Sequence, residues 1–248
     1  MQTNDRNVRT LLPNDWTLSV LLAGFFAVFP LFDAHAEHDH QESWTVLFDG
    51  QSTEHWRGFR GDGFPRDAWA VKDGTLKPLV AGTVLDLVTR ETYEDFELEL
   101  QWRVDPGGNA GIFFMVTEQH PEVWHTGPEV QILDDMGHPD AKDSKTSVGS
   151  IYALVAPAQA KKVNPPGRWN HARFQMKGGR LRHWLNGVEI LDVDFFGDEF
   201  RTAVNESHFA KMPDFAQTRR GHIALQHASV SPLKAKVWYR NIRLRELP

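Results

Sequence analysis

Apolar and polar residues alternate along most of the chain in short runs that predict β-strands. The clearest run is residues 95–105, DFELELQWRVD, in which every second residue from Phe96 to Val104 is apolar and the residues between them are polar. A period of two with one apolar face is typical of a half-buried antiparallel strand. We therefore predict a strand whose Phe96 side chain faces the core and whose Glu97 side chain faces outwards.

Similar segments follow, separated by turn signals. The sequence PGGN precedes the apolar run at residues 110–116, a Gly-Gly pair separates residues 169–177 from residues 180–185, and Asn186-Gly187 is typical of a type I′ hairpin turn. Only residues 140–144 and 206–212 have the pattern of short helices. A parallel sheet needs amphipathic helices between its strands, and they are absent. The pattern predicts an all-β protein, a single sandwich of two antiparallel sheets.

The first residues have the pattern of an export signal. Arg6 and Arg9 precede an apolar run at residues 16–32, and Ala34-His35-Ala36 is an A-x-A cleavage site. We predict a signal peptide at residues 1–36, a linker at residues 37–42, one domain at residues 43–248, and a periplasmic or extracellular location. An uncleaved anchor is the alternative, since 17 apolar residues approach the length of a membrane span. After cleavage no stable membrane insertion is expected.

Composition excludes several other classes of protein. The chain has no cysteine, so it has no disulfide, no thiolate nucleophile and no thiolate zinc site. Its stability must come from core packing, and a domain of this length can bury enough apolar surface for that. The formal net charge is −6 and no lysine or arginine stripe is present, so nucleic acid is not an expected partner.

The segment GPEVQILDD, residues 127–135, has the strongest candidate chemistry. If it is a strand, Val130 and Ile132 point to one face while Glu129 and Gln131 point to the other. Before it, Trp124 lies in a loop rich in Pro, His and Gly, where an aromatic ring could cover the C–H face of a sugar. After it, His138, Asp140 and Asp143 could hold a cation or cap a short helix. We expect capping for Asp140, and the role of His138 stays open.

A set of motifs in a fixed order resembles the 3-keto-disaccharide hydrolase family, also described as 3-keto-glucoside 1,2-lyase/hydratase. The motifs are WTVLFDGQSTEHW, GTLKPL, YEDFELELQWRV, GGNAGIFF, GPEVQILDD, IYALVAP, PPGRWNHARF, HWLNG, MPDF, GHIALQH and VWYRNIRL. The resemblance spans residues 43–248 and implies a concanavalin A-like jelly roll. The chain departs from the family where relatives have Asp-His-Gly after Leu-Gln: here His227 follows without the acid, and the next turn is longer.

The resemblance implies a carbohydrate substrate, a 3-keto-glycoside. Such an enzyme removes the C2 proton, expels the aglycone from C1 by β-elimination, and adds water to the 2-hydroxy-3-keto-glucal. The hypothesis makes Glu129 the base, with His138 as the next candidate, and lets Gln131 bind a hydroxyl or the keto oxygen. The positions of the motifs imply further candidates for the substrate-binding wall: Arg103, Asn109, Trp124, Tyr152, Trp184, Gln226 and His227.

Two alternative functions and the question of a metal ion remain open. The same sandwich serves non-catalytic lectins. A conventional glycosidase of this fold has the pattern E-x-D-x-x-E, whereas Glu129, Gln131 and Asp134 occupy those positions here, which argues against ordinary retaining hydrolysis. Asp134 and His138 could join Glu129 around a divalent metal ion, but no cofactor is assigned. The sequence does not determine the oligomeric state.

Overall fold

Two antiparallel β-sheets pack face to face in this protein. The structure, a computed structural model, describes residues 43–79, 83–227 and 237–248. The predicted signal peptide and linker lie outside the described residues, and so does most of the lengthened turn after His227. No helix in the described part of the chain is long and apolar enough to cross a membrane.

Thirteen strands are found within the described residues. They are β1 (Thr45–Phe48), β2 (Trp56–Gly58), β3 (Trp69–Lys72), β4 (Thr75–Pro78), β5 (Leu87–Thr89), β6 (Phe96–Val104), β7 (Asn109–Val116), β8 (Glu129–Leu133), β9 (Asn170–Lys177), β10 (Arg180–Leu185), β11 (Val188–Asp194), β12 (His222–Leu225) and β13 (Val237–Glu246). The larger sheet has the order β11-β10-β9-β6-β13-β4-β3, with β1 also paired to β13. The smaller sheet has the order β2-β5-β12-β7-β8.

The alternation in β6 determines which side of the larger sheet faces the core. Phe96, Leu98, Leu100, Trp102 and Val104 are all buried between the sheets. The intervening Glu97 also has little exposure, but it lies on the outer face, where Arg173 and Arg245 pair with its carboxylate. The predicted orientation of this strand is therefore confirmed, and the fold is the predicted jelly-roll sandwich.

Two predicted turns join β9, β10 and β11 into a meander. Gly178 and Gly179 both have positive φ, and Lys177 pairs with Arg180 across this turn. Asn186 and Gly187 have φ of 48° and 81°, which a type I′ turn requires at both central positions. The hairpin predicted from the Asn-Gly signal is confirmed.

The helices differ from the prediction. An α-helix, α1 (Asp198–Asn205), was not predicted, because it is only eight residues long and Gly197 provides no side-chain cap at its start. Phe200 and Val204, four residues apart, hold it against the core. The second predicted helix, residues 206–212, is instead a 3₁₀ turn, His208–Lys211. This turn starts separately from α1 because the Ser207 side chain caps it by accepting a hydrogen bond from the Phe209 amide. Two other 3₁₀ turns are Val123–His125 and Pro139–Lys142.

Strand β8 forms one edge of the smaller sheet, and a non-strand segment, residues 149–152, lies along that edge. The Gln131 amide donates to the Ser150 carbonyl at 3.0 Å, and the Gly149 amide donates to the Gln131 carbonyl at 2.8 Å. The Tyr152 amide donates to the Glu129 carbonyl at 3.0 Å. The backbone of β8 is thus hydrogen-bonded on both sides, which holds its side chains in a fixed register.

Candidate active site

A cavity of about 210 Å³ lies on the outer face of the smaller sheet. Strands β7 and β8 provide its floor, the 3₁₀ turns and the edge segment provide its walls, and it has both apolar and polar groups. The residues that line it are Asn109, Phe113, Trp124, Gly127, Glu129, Gln131, Asp140, Tyr152, His208, Phe209 and Gln226.

The side-chain alternation predicted for β8 directs Glu129 and Gln131 into this cavity. Val130 and Ile132 are 1% exposed and belong to the core between the sheets. Glu129 pairs with Phe113 and Gln131 pairs with Gly111 in the ladder between β7 and β8. A Cβ atom added to Gly111 would collide with the Glu129 carboxyl group. A glycine at this position therefore leaves the space in which the carboxyl group lies.

Glu129 carries an unpartnered carboxyl group in a poorly solvated site. Burial, together with the negative charges of Asp86 and Asp140, raises the pKa of Glu129 to about 8. Within the described residues, no hydrogen bond or ion pair engages this carboxyl group. A carboxylate with a pKa near neutrality and no competing partner is suited to accept a proton from a bound ligand.

Gln131 offers the cavity a hydrogen-bond acceptor. The side chain is 1% exposed, and its Nε2 donates to the Thr146 carbonyl at 3.3 Å. Its Oε1 is buried and has no hydrogen-bond partner among the described residues. Because an unsatisfied buried acceptor is costly, this atom is expected to accept a hydroxyl of a ligand.

The 3₁₀ turn Pro139–Lys142 places Asp140 in the wall and His138 behind it. The His138 Nδ1 accepts a hydrogen bond from the Asp140 amide at 3.2 Å, so His138 caps the turn. The Asp140 carboxylate instead lines the cavity and accepts from the Asn109 Nδ2 at 3.3 Å. The prediction that Asp140 serves as the cap was wrong. His138 does not line the cavity, because the hydrogen bond to the turn holds its ring.

Tyr152 comes from the segment that covers the edge of β8. Its hydroxyl group is partly buried, and burial together with the charges of Asp140 and Glu129 raises the pKa of Tyr152. The hydroxyl therefore stays protonated at neutral pH and is available as a donor. The negative neighbours also favour a ligand that presents acidic protons rather than a second anion.

Aromatic residues form the rim. Trp124 is 38% exposed and stacks on His125 with ring centroids 4.0 Å apart. His208 and Phe209, on a 3₁₀ turn, also line the cavity, although nothing in their segment distinguished them as site residues. Phe209 stacks on Phe215 at 4.2 Å, which anchors this turn to the core. Trp124 lies at the rim as predicted. His208 and Phe209 also lie there, and only the tertiary fold brings them to the cavity.

Gln226 lines the cavity, whereas its neighbour His227 does not. His227 is buried at the end of β12, where its Nε2 lies 3.1 Å from the Ala68 carbonyl and its ring packs edge-on against Trp69. Its amide donates to Asp86 Oδ1 at 2.7 Å. This corrects the expectation that His227 belongs to the wall. Asp86, whose charge acts on Glu129, was missed because its segment matches no motif.

Arg103 and Trp184 lie far from the predicted wall, on the outer face of the larger sheet. Arg103 stacks over Trp238 on β13, and Trp184 lies under Arg173 and Arg182. Their outward orientation follows the alternation of β6 and β10. Alternation does not show to which of the two sheets a strand belongs. The expectation that Arg103 and Trp184 line the cavity was therefore wrong, because β6 and β10 belong to the larger sheet.

The acidic residues do not form a metal site within the described residues, where no group of three or more His, Asp or Glu side chains has a suitable arrangement. Asp134, a proposed ligand, is buried and accepts hydrogen bonds from the Gly107 and Met136 amides, each at 2.9 Å. It fixes the turn after β8 and does not face Glu129 across the cavity.

The fold and the cavity together define a jelly-roll protein with a carboxylate, amides and aromatic rings on the open face of its smaller sheet. The sequence model of the family described as 3-keto-alpha-glucoside-1,2-lyase-like domain matches residues 43–245. The chain belongs to this family, which confirms the resemblance found in its motifs.

Individual relatives agree with this assignment. The chain is 28% identical over 236 residues to a protein of Bacteroides thetaiotaomicron named 3-keto-disaccharide hydrolase, and the match covers 83% of this chain and 79% of that protein. Two crystal structures from Parabacteroides distasonis ATCC 8503 are of provisionally assigned glycosyl hydrolases. One is 28% identical, covers 84% of this chain and 95% of the other, and has a TM-score of 0.74. The second is 26% identical, covers 83% and 100%, and has a TM-score of 0.64.

Proposed function

We propose that this protein cleaves 3-keto-glycosides by elimination and hydration, with hydrolysis as the net result. The family and the name of the Bacteroides relative support a 3-keto-glycoside as the substrate class. The observation that carries the mechanism is the carboxyl group of Glu129, which faces the cavity without a partner and has a pKa raised to about 8. Such a group suits removal of a proton from carbon.

The C3 ketone makes the C2 proton acidic, because the carbanion formed at C2 is delocalised onto the C3 oxygen as an enediolate. Glu129 takes the C2 proton. When the enediolate collapses, the C3 carbonyl re-forms, a C1–C2 double bond forms, and the aglycone leaves C1 with the bonding electrons and acquires a proton. Water then adds its hydroxyl group to C1 and releases its other proton to the solvent, which balances the proton that the aglycone took up, and Glu129 returns a proton to C2. The base is therefore regenerated in each turnover.

The other cavity residues match the remaining needs of this reaction. Tyr152 is a protonated donor for an oxygen that gains negative charge, and the Gln226 amide is a second donor on the adjacent strand end. Gln131 Oε1 accepts from a sugar hydroxyl. Trp124 is placed to cover an apolar face of the sugar. These groups support the proposal of elimination at a neutral pyranose ring.

The test compares a 3-keto-glucoside with its unoxidised parent and follows aglycone release. We expect release from the keto compound alone, and a loss of about 100-fold or more in the Glu129→Gln variant, the usual effect of removing a general base. Glu206→Gln, which changes an exposed glutamate outside the cavity, is the matched control and should keep full activity.

Two results would contradict the proposal. Sugar binding without aglycone release would make the protein a lectin-like module. Equal cleavage of the unoxidised parent would indicate ordinary glycoside hydrolysis, which needs a second carboxylate. Asp134, the final acidic position of the β8 motif, is held by backbone amides and is not free for that role.

We also propose that the protein is exported. The charged start, the apolar run at residues 16–32 and the A-x-A site support this location. Amino-terminal sequencing of the protein from its native host should begin at Glu37. Recovery of the intact apolar run in a membrane fraction would contradict cleavage.

A further inference from the structure

The outer face of the larger sheet carries a row of arginines whose partners change along β6. Arg245 pairs with Glu97, and Arg243 pairs with Glu99. The next row places Arg240 beside Gln101, with Arg240 Nε donating to Gln101 Oε1 at 2.7 Å. In the last row Arg103 itself occupies the β6 position, opposite Trp238. The carboxylates thus end two rows before the arginines do.

A groove of about 290 Å³ lies where the carboxylates end. We call it the arginine–tryptophan groove, and its lining residues are Lys72, Asp73, Thr75, Lys77, Arg103, Trp169, Trp238 and Arg240. It presents four cationic side chains and one carboxylate in a chain whose overall charge is −6. Among the described residues, none of these four cations forms an ion pair with a carboxylate. The groove is therefore a region of positive electrostatic potential on an acidic protein.

Stacking holds the two guanidinium groups in fixed planes. Arg103 lies 4.4 Å over the Trp238 ring and 5.2 Å over Trp169, and Arg240 lies 4.0 Å over Trp169. Arg103 makes no hydrogen bond within the described residues, and its Nε is buried without an acceptor. An arginine fixed by aromatic stacking with unused donors is preorganised for a planar anion, because little side-chain entropy remains to be lost.

We propose that the arginine–tryptophan groove binds the carboxylate of an acidic sugar, at a site separate from the catalytic cavity. The carboxylate matches the planar donor fork of Arg103, and Lys72 and Lys77 add charge around it. The partly exposed indole rings of Trp169 and Trp238 beside the arginines suit the C–H groups of a pyranose ring. The groove is on the outer face of the larger sheet and the cavity is on that of the smaller sheet, so binding here anchors an acidic glycan without occupying the cavity.

Binding is measured by calorimetry with trigalacturonate, cellotriose and inorganic phosphate as the three probes, at low salt. We expect trigalacturonate to bind at least about tenfold more tightly than cellotriose or phosphate, since one charge-assisted hydrogen-bonded contact is worth about that factor. The Arg103→Gln/Arg240→Gln variant should lose about tenfold or more of this affinity. Its turnover of a 3-keto-glucoside should be unchanged, because the groove takes no part in the reaction.

The matched control is Arg180→Gln/Arg182→Gln. These arginines lie on the same sheet face, and Arg182 also stacks on a tryptophan, but they are paired with Asp192 and Glu189. The control should bind trigalacturonate within about twofold of the wild type, since charges already paired at the surface contribute little. An equal loss in the control would show that bulk charge, not the groove, attracts the anion.

A second variant separates binding from stability. Lys72→Gln/Lys77→Gln removes two charges and the 5.9 Å contact of Lys77 with the Trp238 ring, while the closer Arg103 and Arg240 stacks stay in place. It should therefore fold with a melting temperature close to that of the wild type and still weaken binding. Equal affinity for cellotriose and trigalacturonate, or phosphate binding as tight as the sugar acid, would overturn the proposal. The first result would show that the carboxylate does not contribute to binding, and the second would show that the sugar ring does not.

Discussion

The Glu129 side chain lies across the backbone of Gly111, on the neighbouring strand, in the space that any other residue would fill with a Cβ atom. Gly111→Ala is therefore expected to displace the carboxyl group from the cavity floor. Since φ at Gly111 is not in the left-handed region, alanine imposes no backbone strain there. Turnover of a 3-keto-glucoside should fall at least about tenfold, because catalysis depends on placement of the base to within about 1 Å. Steady-state kinetics provides the measurement.

Gly63→Ala is the control for that substitution, since a Cβ at Gly63 meets no atom within 4 Å. It should leave kinetics and melting temperature unchanged. Full activity in Gly111→Ala would mean that the position of the Glu129 carboxyl group does not limit the reaction.

The pH dependence of kcat/KM reports the protonation of Glu129 in the free enzyme. A base must be deprotonated, and the pKa of Glu129 is raised to about 8. We therefore expect kcat/KM for a 3-keto-glucoside to rise with pH and to level off above about pH 8. A profile that falls over the same interval would identify Glu129 as an acid rather than a base.

The stability of the Glu129→Gln variant should depend on pH in a defined interval. The pKa of Glu129 is raised from 4.5 when unfolded to about 8 when folded, so the wild type is stabilised below the lower value and loses that stability as pH rises to the upper one. The variant has no such titration. As the pH rises from 5 to 8, the unfolding free energy of the variant should increase relative to that of the wild type by about 1 kcal/mol per pH unit. Urea denaturation at several pH values measures it.

His183 should make the protein sensitive to acid. It is 2% exposed, stacks on Phe174 at 4.3 Å, and has no hydrogen-bond partner on either ring nitrogen among the described residues. Burial lowers the pKa of His183 from 6.5 to about 3. As the pH falls, His183 binds a proton in the unfolded chain before it does so in the folded protein. The folded state therefore loses stability as the pH falls from 6.5 towards 3.

His183→Leu removes that acid-sensitive contribution. At pH 8 the variant should be as stable as the wild type or more stable, since it buries no unsatisfied nitrogen. Its advantage should grow as the pH is lowered through 6 to 4, as followed by thermal melts. An advantage that does not change with pH would show that His183 does not titrate differently on unfolding.

Local alternation was sufficient to predict part of the site and insufficient for the rest. Glu129 and Gln131 share a face because they are two residues apart on one strand, and that relation needs no tertiary information. Gln226 and His227 were both expected in the wall, but adjacent residues at a strand end point to opposite sides, so only Gln226 reaches the cavity.

The errors concern long-range arrangement. Arg103 was correctly predicted to face outwards, yet alternation cannot show which of two sheets a strand joins. Asp140 and Phe209 reach the cavity from separate 3₁₀ turns, and Asp86 acts on Glu129 through its charge. The patterns around Asp140 and Phe209 indicated only short helices, and the segment of Asp86 matches no motif, so none of the three could be placed at the cavity from local sequence. The fold class was predictable because turn chemistry and strand period are local properties.

The segment that runs along β8 also bears on self-association. An exposed edge strand offers unpaired amides and carbonyls to another chain and so promotes aggregation. Here Gly149, Ser150 and Tyr152 occupy those groups on the strand that carries Glu129 and Gln131. The strand that holds the proposed base is thereby closed to intermolecular pairing, so the backbone contacts that fix the register of Glu129 and Gln131 also protect this edge from aggregation.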